Sequence, residues 1–413
     1  MDSAGKRACT RRKQPTPRSG HVAVTYGDLM LIWGGYSDFP ELDQTNGHGD
    51  LYLDGKEVWC YNIEAQLWDV WNTRSSPPGM SGSCAACVRN HMYVFGGFNE
   101  NFNSNELYRL NLKTKVWSQL KPDGEAPSPR DKLTCWAYED KLIFFGGFGQ
   151  PPFREDAMNN SIGEWHLDPT SVRLWAESIR GWNNHLYVYN ITENRWSHVE
   201  AQRNQPSPRA AHGCVVLGNR GYVLGGRFQE NRLNDVHFLD LDTMKWSGSL
   251  PVTGEIPVGR SWHCMAPVSN RHFLVYGGYS TDNVPLNDVW IFDVDSRTWH
   301  QQKSVPSETR MWHTAVQGID VGETVIFGGC SNNLLNPEER SVHSRKVITL
   351  SFSPISLSRL SIEAIVSDID VLKSELSSLP TLLQRKVELR LHSSSPESSK
   401  SHDYNLRSRP RSL

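Results

Sequence analysis

The hydrophobic pattern of the chain is a series of short apolar runs, each closed by a pair of glycines. The runs read LMLIW, HMYVF, KLIFF, GYVL, HFLVY and TVIF, and the pairs begin at residues 34, 96, 146, 225, 277 and 328. Successive pairs are 62, 50, 79, 52 and 51 residues apart, so the underlying period is near 50. In five repeats a further apolar run leads to a late tryptophan: Trp68, Trp117, Trp196, Trp246 and Trp299. Apolar runs of this length, bounded by turn residues, predict β-strands.

A second recurrent patch precedes the glycine pairs. It reads PRSGH at 17–21, PRAAH at 208–212, GRSWH at 259–263 and TRMWH at 309–313, and two other repeats keep the frame without the histidine. Four short strands per ~50 residues, with paired glycines and a late aromatic residue, are typical of a kelch β-propeller. Six repeats therefore predict an all-β fold, a six-bladed kelch β-propeller over residues 17–353. The sixth repeat lacks the late tryptophan, so we expect residues 1–16 to complete the last blade and close the ring.

A short C-terminal α-helical segment is predicted at residues 354–391, because aliphatic residues there recur at helical spacing. Pro380 stands where a second short helix would begin. From residue 392 to 413 the chain is rich in serine with scattered arginines and has almost no large apolar residues. Such a composition predicts a disordered tail.

Composition and charge exclude two classes of partner. The 413 residues carry 43 Lys+Arg and 45 Asp+Glu, a formal net charge of -2, which argues against a dedicated nucleic-acid-binding protein. No apolar stretch approaches the length of a membrane span, and no secretory leader is visible, so we expect no membrane partner and a location in the nucleus or cytoplasm.

Cysteine and histidine do not predict a metal site. Cys84-x-x-Cys87 has the spacing of half a zinc site, but no second pair follows at zinc-finger spacing. Four cysteines recur four or five residues after a repeated position of the patch, which is typical of small buried thiols in β-strands: Cys84, Cys135, Cys214 and Cys264. The histidines of the patch lie in different blades: His21, His212, His263 and His313. We therefore expect neither a metal nor a cofactor.

Equivalent positions in the repeats face the same way in the propeller. A residue that differs in type from the residues at the same position in the other repeats therefore points to a separate role. The position after the glycine pair is occupied by Tyr36, Phe98, Phe148, Arg227, Tyr279 and Cys330. Arg227 is the exception at this mostly aromatic position, and Arg232 follows it in the same loop. Two guanidinium groups ringed by aromatic residues predict a site for a carboxylate or a phosphate.

The fourth position of the patch contributes further residues to the same face. Three of the residues at this position are small. The other three are Lys132, Trp262 and Trp312, and Ser261 lies next to Trp262 in the chain. The long third interval also holds Trp182, and we expect this insertion to form a lip over the central channel. The alternative is that these residues are ordinary solvated cations and core aromatics.

The C-terminal segment resembles two docking motifs in succession. Residues 356–365 resemble a BC box, with Leu357, Ser361 and Ile365 at its key positions, although cysteine is commoner than serine at the middle one. One helical stripe of this kind fits an apolar groove. The following stretch resembles a cullin-2 box, with Leu379, Pro380, Leu383 and Val387. An amphipathic helix that merely caps the ring is the alternative.

Taken whole, residues 17–391 resemble the kelch-repeat substrate receptors of cullin-2 RING ubiquitin ligases. The resemblance rests on stretches such as SGHVAV, KLIFFGGFG, RGWNNH, GNRGYVLGGR, PVGRSWH and SLSRLSIEAI. It implies a non-catalytic adaptor that binds elongin C, elongin B and cullin-2 with its RING subunit. Such receptors capture proteins by the extreme C-terminus, with a preference for a terminal Gly-Gly.

The same resemblance implies roles for individual residues. Arg227, Arg232 and Ser261 would hold the terminal carboxylate. The surrounding pocket would be shaped by Lys132, Phe148, Trp182 and Trp262. Phe148 stands where a tyrosine is expected, so one hydroxyl is missing from the implied pocket.

Two other classes of function compete with this one. An enzyme on a kelch scaffold, such as a copper oxidase, needs tyrosine, histidine and a crosslinked cysteine at one metal centre, and the sequence has no such cluster. A kelch scaffold that binds other protein partners without degradation needs only the propeller. Co-purification with elongins B and C would distinguish that scaffold from a ligase subunit.

Overall fold

Six antiparallel sheets, one for each repeat, surround a central channel. The computed structural model describes residues 14–38, 51–100, 102–152, 162–174, 179–304, 308–336, 338–372 and 374–393. The strands of the first two repeats are β1 (Val22–Tyr26), β2 (Leu29–Trp33), β3 (Tyr36–Ser37), β4 (Leu51–Tyr52), β5 (Glu57–Asn62), β6 (Leu67–Asn72), β7 (Cys84–Val88), β8 (His91–Phe95), β9 (Leu107–Asn111) and β10 (Val116–Gln119).

The third repeat is the longest. It contains β11 (Arg130–Asp131), β12 (Thr134–Tyr138), β13 (Lys141–Phe145), β14 (Phe148–Gly149), β15 (Trp165–Leu167), helix α1 (Pro169–Leu174), β16 (Gly181–Asn183), β17 (Leu186–Asn190) and β18 (Arg195–Val199). The remaining strands are β19 (Gly213–Leu217), β20 (Arg220–Phe228), β21 (Asn231–Asp240), β22 (Lys245–Trp246), β23 (Thr253–Gly254), β24 (Arg260–Ser261), β25 (Cys264–Pro267), β26 (His272–Ser280), β27 (Pro285–Asp293), β28 (Thr298–Gln301), β29 (Thr314–Gln317), β30 (Glu323–Phe327) and β31 (Val347–Ser351).

Each of the first five blades is a four-stranded meander, and the sheet order confirms the predicted all-β propeller. The blades are β1-β2-β5-β6, β7-β8-β9-β10, β12-β13-β17-β18, β19-β20-β21-β22 and β25-β26-β27-β28. The sixth blade has three strands, β29-β30-β31, in the described chain. Residues 1–13 lie outside the described residues, so completion of this blade by the N-terminal segment stays a prediction.

The late tryptophans join neighbouring blades, as a large aromatic ring should at a sheet-to-sheet interface. Four of them lie against the last residue of the second strand of the preceding blade. The ring centroids are 5.6 Å apart for Trp117 and Trp33, 5.3 Å for Trp196 and Phe95, 4.8 Å for Trp246 and Phe145, and 5.0 Å for Trp68 and Phe327. The last pair connects the first blade to the sixth, and β29 lies beside β1, so the ring is closed.

The glycine pairs lie where neighbouring blades approach most closely. Gly225 and Gly226 have φ angles of 60° and 97°. A Cβ atom on Gly225 would lie 2.7 Å from the carbonyl oxygen of Arg260, and one on Gly226 would lie 2.8 Å from the Cβ atom of His212. Both the left-handed backbone and the close approach require glycine.

The histidines of the patch are framework residues between blades. Nε2 of His212 lies 2.7 Å from Oγ1 of Thr134 in the preceding blade. Burial, together with the nearby Arg209, lowers the pKa of His212 to about 3. Burial likewise lowers the pKa of His313 to about 3 and holds the pKa values of His21 and His263 well below the usual range. These imidazoles are therefore neutral in the folded protein.

We expect the free energy of unfolding to decrease as the pH falls below about 6.5. In that range the unfolded chain binds a proton at each of these histidines, and the folded chain does not because its histidine pKa values are lowered. Each histidine then contributes a slope of about 1 kcal/mol per pH unit. Urea unfolding at pH 7.5, 6.5 and 5.5 measures the slope, which His212→Gln should reduce and a change at the exposed His300 should not. A flat profile would contradict this assignment.

The predicted C-terminal helices are present. They are α2 (Leu357–Ser367), α3 (Ile369–Leu372), a 3-10 turn (Leu376–Ser378) and α4 (Thr381–Ser393). Ser356 caps the first turn of α2, and Nη1 of Arg359 lies 2.6 Å from Oε1 of Glu323, which ties this helix to the sixth blade. No helix in the described ranges is long and apolar enough to cross a membrane. The predicted disordered tail lies almost wholly outside the described residues.

Candidate functional site

A closed ring of six backbone hydrogen bonds surrounds one mouth of the central channel. Its members are the fourth residues of the six patches: Gly20, Gly82, Lys132, Ala211, Trp262 and Trp312. Each N–H donates to the carbonyl oxygen of the member in the preceding blade, at 2.7–3.0 Å, and Gly20 donates to Trp312. All six have φ angles between 54° and 66°. Side chains are costly in this left-handed conformation, by about 1–2 kcal/mol each, so the lysine and the two tryptophans are retained against a conformational penalty.

Arg227 and Arg232 are paired across one hairpin above this mouth. They are cross-strand partners in the register of β20 and β21, which predicts mutual repulsion. The Arg232 side chain is buried, and its Nε donates to Oγ of Ser261 at 3.1 Å. Its guanidinium carbon lies 4.4 Å from the centre of the Tyr279 ring. The structure thus brings together the three residues predicted to hold a carboxylate.

The electrostatic environment of this pair favours an anion. Desolvation, with a further contribution from the charge of Arg227, lowers the pKa of Arg232 from its usual value. Nε of Arg227 donates to the carbonyl oxygen of Gln229 at 2.8 Å, and its guanidinium carbon lies 5.6 Å from the centre of the Trp182 ring. Because two like charges face each other in a partly desolvated site, a bound carboxylate would relieve their repulsion.

Lys132 lies at the same mouth, and the positive charge of its ammonium group is also incompletely neutralised. Its Nζ atom is 2.6 Å from Oδ2 of Asp131, 5.4 Å from the centre of the Trp312 ring and 5.9 Å from that of Phe148. Desolvation, with repulsion from Arg180 and Arg227, lowers its pKa, while Asp131 opposes the shift. The ammonium group retains donors for a ligand.

Aromatic rings connect the cations. Trp262 and Trp312 are stacked, with ring centroids 5.2 Å apart and an interplanar angle of 24°. Phe148 and Trp182 are partners in the register of β14 and β16, with centroids 5.1 Å apart. The indole Nε1 of Trp262 is buried and has no hydrogen-bond partner among the described residues. All seven residues predicted for the pocket therefore belong to one network of contacts, which also includes Trp312 and Tyr279.

The insertion of the third repeat forms part of this face. Its strands β15 and β16 join β14 and β11 in a small sheet of order β11-β14-β16-β15, separate from the blade itself. This sheet lies beside the channel mouth, because β11 ends next to ring residue Lys132 and β14 begins next to the glycine pair Gly146-Gly147. The described part of the insertion thus lies next to this mouth, and the lip over the channel stays a prediction.

Sequence reasoning missed Arg180, which contacts the predicted pocket residue Phe148. Its Nη2 atom is 3.1 Å from Oδ1 of Asp131, and its guanidinium carbon lies 4.7 Å and 4.6 Å from the ring centres of Phe98 and Phe148. Arg180 belongs to the insertion, which has no counterpart in the other repeats, so no column comparison could single it out. The only available signal was its position next to the Gly181-Trp182 pair.

The predicted elongin- and cullin-binding residues differ in exposure. Leu357 is 81% exposed, Ser361 is exposed and Ile365 is half-buried, all along one stripe of α2. The opposite side of α2 carries the buried Arg359 and Ile362. Of the cullin-box residues, Pro380 is exposed, Leu379 and Leu383 are half-buried, and Val387 is fully buried. Val387 therefore supports the packing of α4 on α2 instead of presenting a surface.

The channel walls carry the four recurrent cysteines as free thiols. Burial raises the pKa of the Cys84 thiol, and it raises that of Cys214 to about 12. Within the described ranges, no group of three or more His, Cys, Asp or Glu side chains could hold a metal ion. The site combines partly desolvated cations with aromatic rings, an arrangement whose charge favours an anion.

Comparisons with known proteins agree with this architecture. The family model for the KLHDC2/KLHL20/DRC7 kelch-repeats domain matches residues 4–147, 47–272 and 176–362. Kelch domain-containing protein 2 of Homo sapiens is 42% identical over 392 residues, which cover 93% of this chain and 93% of that protein. Kelch domain-containing protein 1 of Mus musculus is 39% identical over 379 residues, or 90% of this chain and 89% of that protein.

A solved structure supports the fold alone. The match titled "Structure of YjhT" is 16% identical, covers 83% of this chain and 97% of that chain, and superposes with a TM-score of 0.58. The sequence relatives are much closer, at 42% and 39% identity over 93% and 90% of this chain. Together with the six blades, they establish that the chain belongs to the family of kelch-repeat propellers that includes kelch domain-containing proteins 2 and 1.

Proposed function

We propose that this protein is the substrate-recognition subunit of a cullin-2 RING ubiquitin ligase. In this proposal the propeller binds the extreme C-terminus of substrates, preferably one ending in Gly-Gly, and the chain itself performs no catalysis. The observation that carries the proposal is the buried Arg232, hydrogen-bonded to Ser261 and paired across the hairpin with Arg227.

A terminal carboxylate fits this cation pair better than a side-chain carboxylate does. A terminal carboxylate is followed by no further residue, so the chain that carries it has to leave the recess on one side only. Charge-assisted hydrogen bonds from two guanidinium groups and a hydroxyl would each contribute roughly 1.5–3 kcal/mol. The flanking rings of Trp182, Trp262 and Tyr279 favour residues without a Cβ atom next to the carboxylate, which is why we propose glycine.

The exposed stripe of α2 supports the ligase part of the proposal. Leu357 and Leu360 are large aliphatic residues that remain 81% and 42% exposed while the other side of the helix is anchored to the sixth blade. An amphipathic helix with an unburied apolar face is a common way to fill a partner's groove. We propose elongin C as that partner, together with elongin B, and cullin-2 with its RING subunit beyond them. Such a complex would act in the nucleus or cytoplasm.

Binding of one peptide in two chemical forms tests the substrate part. A labelled peptide ending in Gly-Gly with a free carboxylate should bind the full-length chain at least tenfold more tightly than the same peptide with an amidated end, because the amide removes the charge that the arginines would bind. Replacing the last glycine by alanine should also weaken binding. Equal affinity for the acid and the amide would refute the proposal.

A kelch scaffold that binds protein partners without degradation is the second candidate. The burial of Val387 between α4 and its neighbours favours it, since these helices also have a structural role. Purification of the full-length chain from cells separates the two candidates. Elongins B and C should co-purify in stoichiometric amounts with a ligase subunit and be absent with a scaffold.

A further inference from the structure

We propose that the binding face contains a second anion subsite, formed by Lys132 and Arg180, which takes the side-chain carboxylate of an Asp or Glu residue shortly before the substrate's terminus. This inference rests on the proposed function, because it defines the substrate class of the same site more narrowly. It predicts that preferred C-termini are acidic just upstream of the terminal glycines.

The charges on this side of the face are not balanced. Lys132 and Arg180 share one carboxylate, Asp131, whose two oxygens are each used by one of the cations. The side chain of Asp131 is almost fully buried. Among the described residues, these ion pairs leave one net positive charge beside the two charges of Arg227 and Arg232. A terminal carboxylate neutralises one of these three charges, and an acidic side chain would neutralise a second.

Arg180 also has an unused donor. Its Nε atom is buried and has no hydrogen-bond partner among the described residues. The guanidinium group lies against the rings of Phe98 and Phe148, which hold its plane in place. A buried unpaired donor on a charged group is costly unless a ligand completes it. A carboxylate is the ligand group that matches a guanidinium donor and an adjacent ammonium.

The distance between the two subsites sets the position of the acidic residue. Trp182 and Phe148 lie between them: Arg227 to Trp182 is 5.6 Å, Trp182 to Phe148 is 5.1 Å, and Phe148 to Arg180 is 4.6 Å. The two guanidinium carbons are therefore at most about 15 Å apart. An extended peptide advances about 3.3–3.6 Å per residue, so a gap of this size is spanned by about four residues or fewer. The acidic side chain should belong to the third, fourth or fifth residue from the end.

Paired peptides test the subsite on the full-length chain. Six labelled decapeptides ending in Gly-Gly carry either Glu or Gln at the third, fourth or fifth position from the end. We expect Glu to bind roughly tenfold more tightly than Gln at one of these positions, because the pair of donors is charge-assisted and partly desolvated. The preference should decrease when the salt concentration rises. Equal affinities for Glu and Gln at all three positions would overturn the inference and leave the proposed function standing.

A variant and a matched control identify the residue responsible. In Arg180→Gln the ratio of Glu to Gln affinity should fall to near one. Arg220→Gln is the control, since Arg220 also stacks on a phenylalanine ring, Phe238, at 4.7 Å but lies at the far end of β20 and is exposed. If Arg180→Gln weakens the Glu and Gln peptides equally, Arg180 only holds the insertion in place and the inference is wrong. If no Gly-Gly peptide binds at all, the proposed function fails with it.

Discussion

Replacing Arg232 by alanine is expected to weaken the binding of a Gly-Gly-ended peptide by about 2–5 kcal/mol, which is roughly 30- to 4000-fold. The side chain is only 8% exposed, and its Nε atom is engaged with Ser261. Its loss would leave the substrate carboxylate and the Ser261 hydroxyl with an unfilled gap between them. Fluorescence polarisation with the labelled peptide measures the change directly.

Three further variants make this result interpretable. Arg227→Ala should weaken binding by a similar amount, because Arg227 faces Arg232 in the hairpin register. Ser261→Ala should cost about 1 kcal/mol, the value of one ordinary hydrogen bond. Arg220→Ala, in the same strand as Arg227 but remote from the site, should bind the peptide as the unchanged protein does. Unchanged binding by Arg232→Ala in a folded protein would contradict the proposed orientation of the substrate.

Replacing Leu357 by aspartate is expected to abolish co-purification of elongins B and C. Leu357 is the most exposed large apolar residue of α2, so its side chain should be the one that enters the partner's groove. Burying a carboxylate there in place of an aliphatic side chain should cost more than 2 kcal/mol, the usual threshold for a binding hot spot. Affinity capture of the full-length chain followed by quantitation of both elongins gives the readout.

Val371→Asp is the matched control for this variant. Val371 lies on α3 and is 78% exposed, nearly as much as Leu357, but it is outside the predicted docking stripe. Both substitutions should leave the melting temperature almost unchanged because neither side chain is packed. Loss of elongins in both variants would indicate a general effect of charge. Retention of elongins by Leu357→Asp would exclude this stripe as the docking surface.

The repeat allowed much of the architecture to be predicted from sequence, because each blade provides a comparison for the others. Glycine pairs, late tryptophans and the buried patch recur for reasons of backbone conformation and inter-blade packing that are the same in every blade. Arg227, Lys132 and Trp262 could be recognised for the same reason, because each differs from the residues at the equivalent position of most other repeats. The structure then adds that Arg227 and Arg232 are cross-strand partners, which depends on the length of the β20–β21 hairpin.

Other features could not be predicted because they have no counterpart in the repeat or depend on tertiary packing. Arg180 lies in the insertion, where nothing in the sequence distinguishes a stacked, ion-paired arginine from a solvated one. Val387 fits the spacing of a docking motif, yet it packs inside the helical segment. The hydrogen-bonded ring was also hidden, since glycine, alanine, lysine and tryptophan share a backbone conformation there that their side chains do not suggest.

Strand β30 bears on how loss-of-function variants should be interpreted. It begins at Glu323, which holds Arg359 of α2, and ends next to Gly328, on the side of the channel mouth. The surfaces that we propose for the ligase and the substrate thus lie towards opposite ends of one five-residue strand. A damaging substitution in its middle, such as at the fully buried Val325, should impair both assays at once. In a genetic screen, variants in this strand would therefore form a class of their own, distinct from alleles that separate the two interactions.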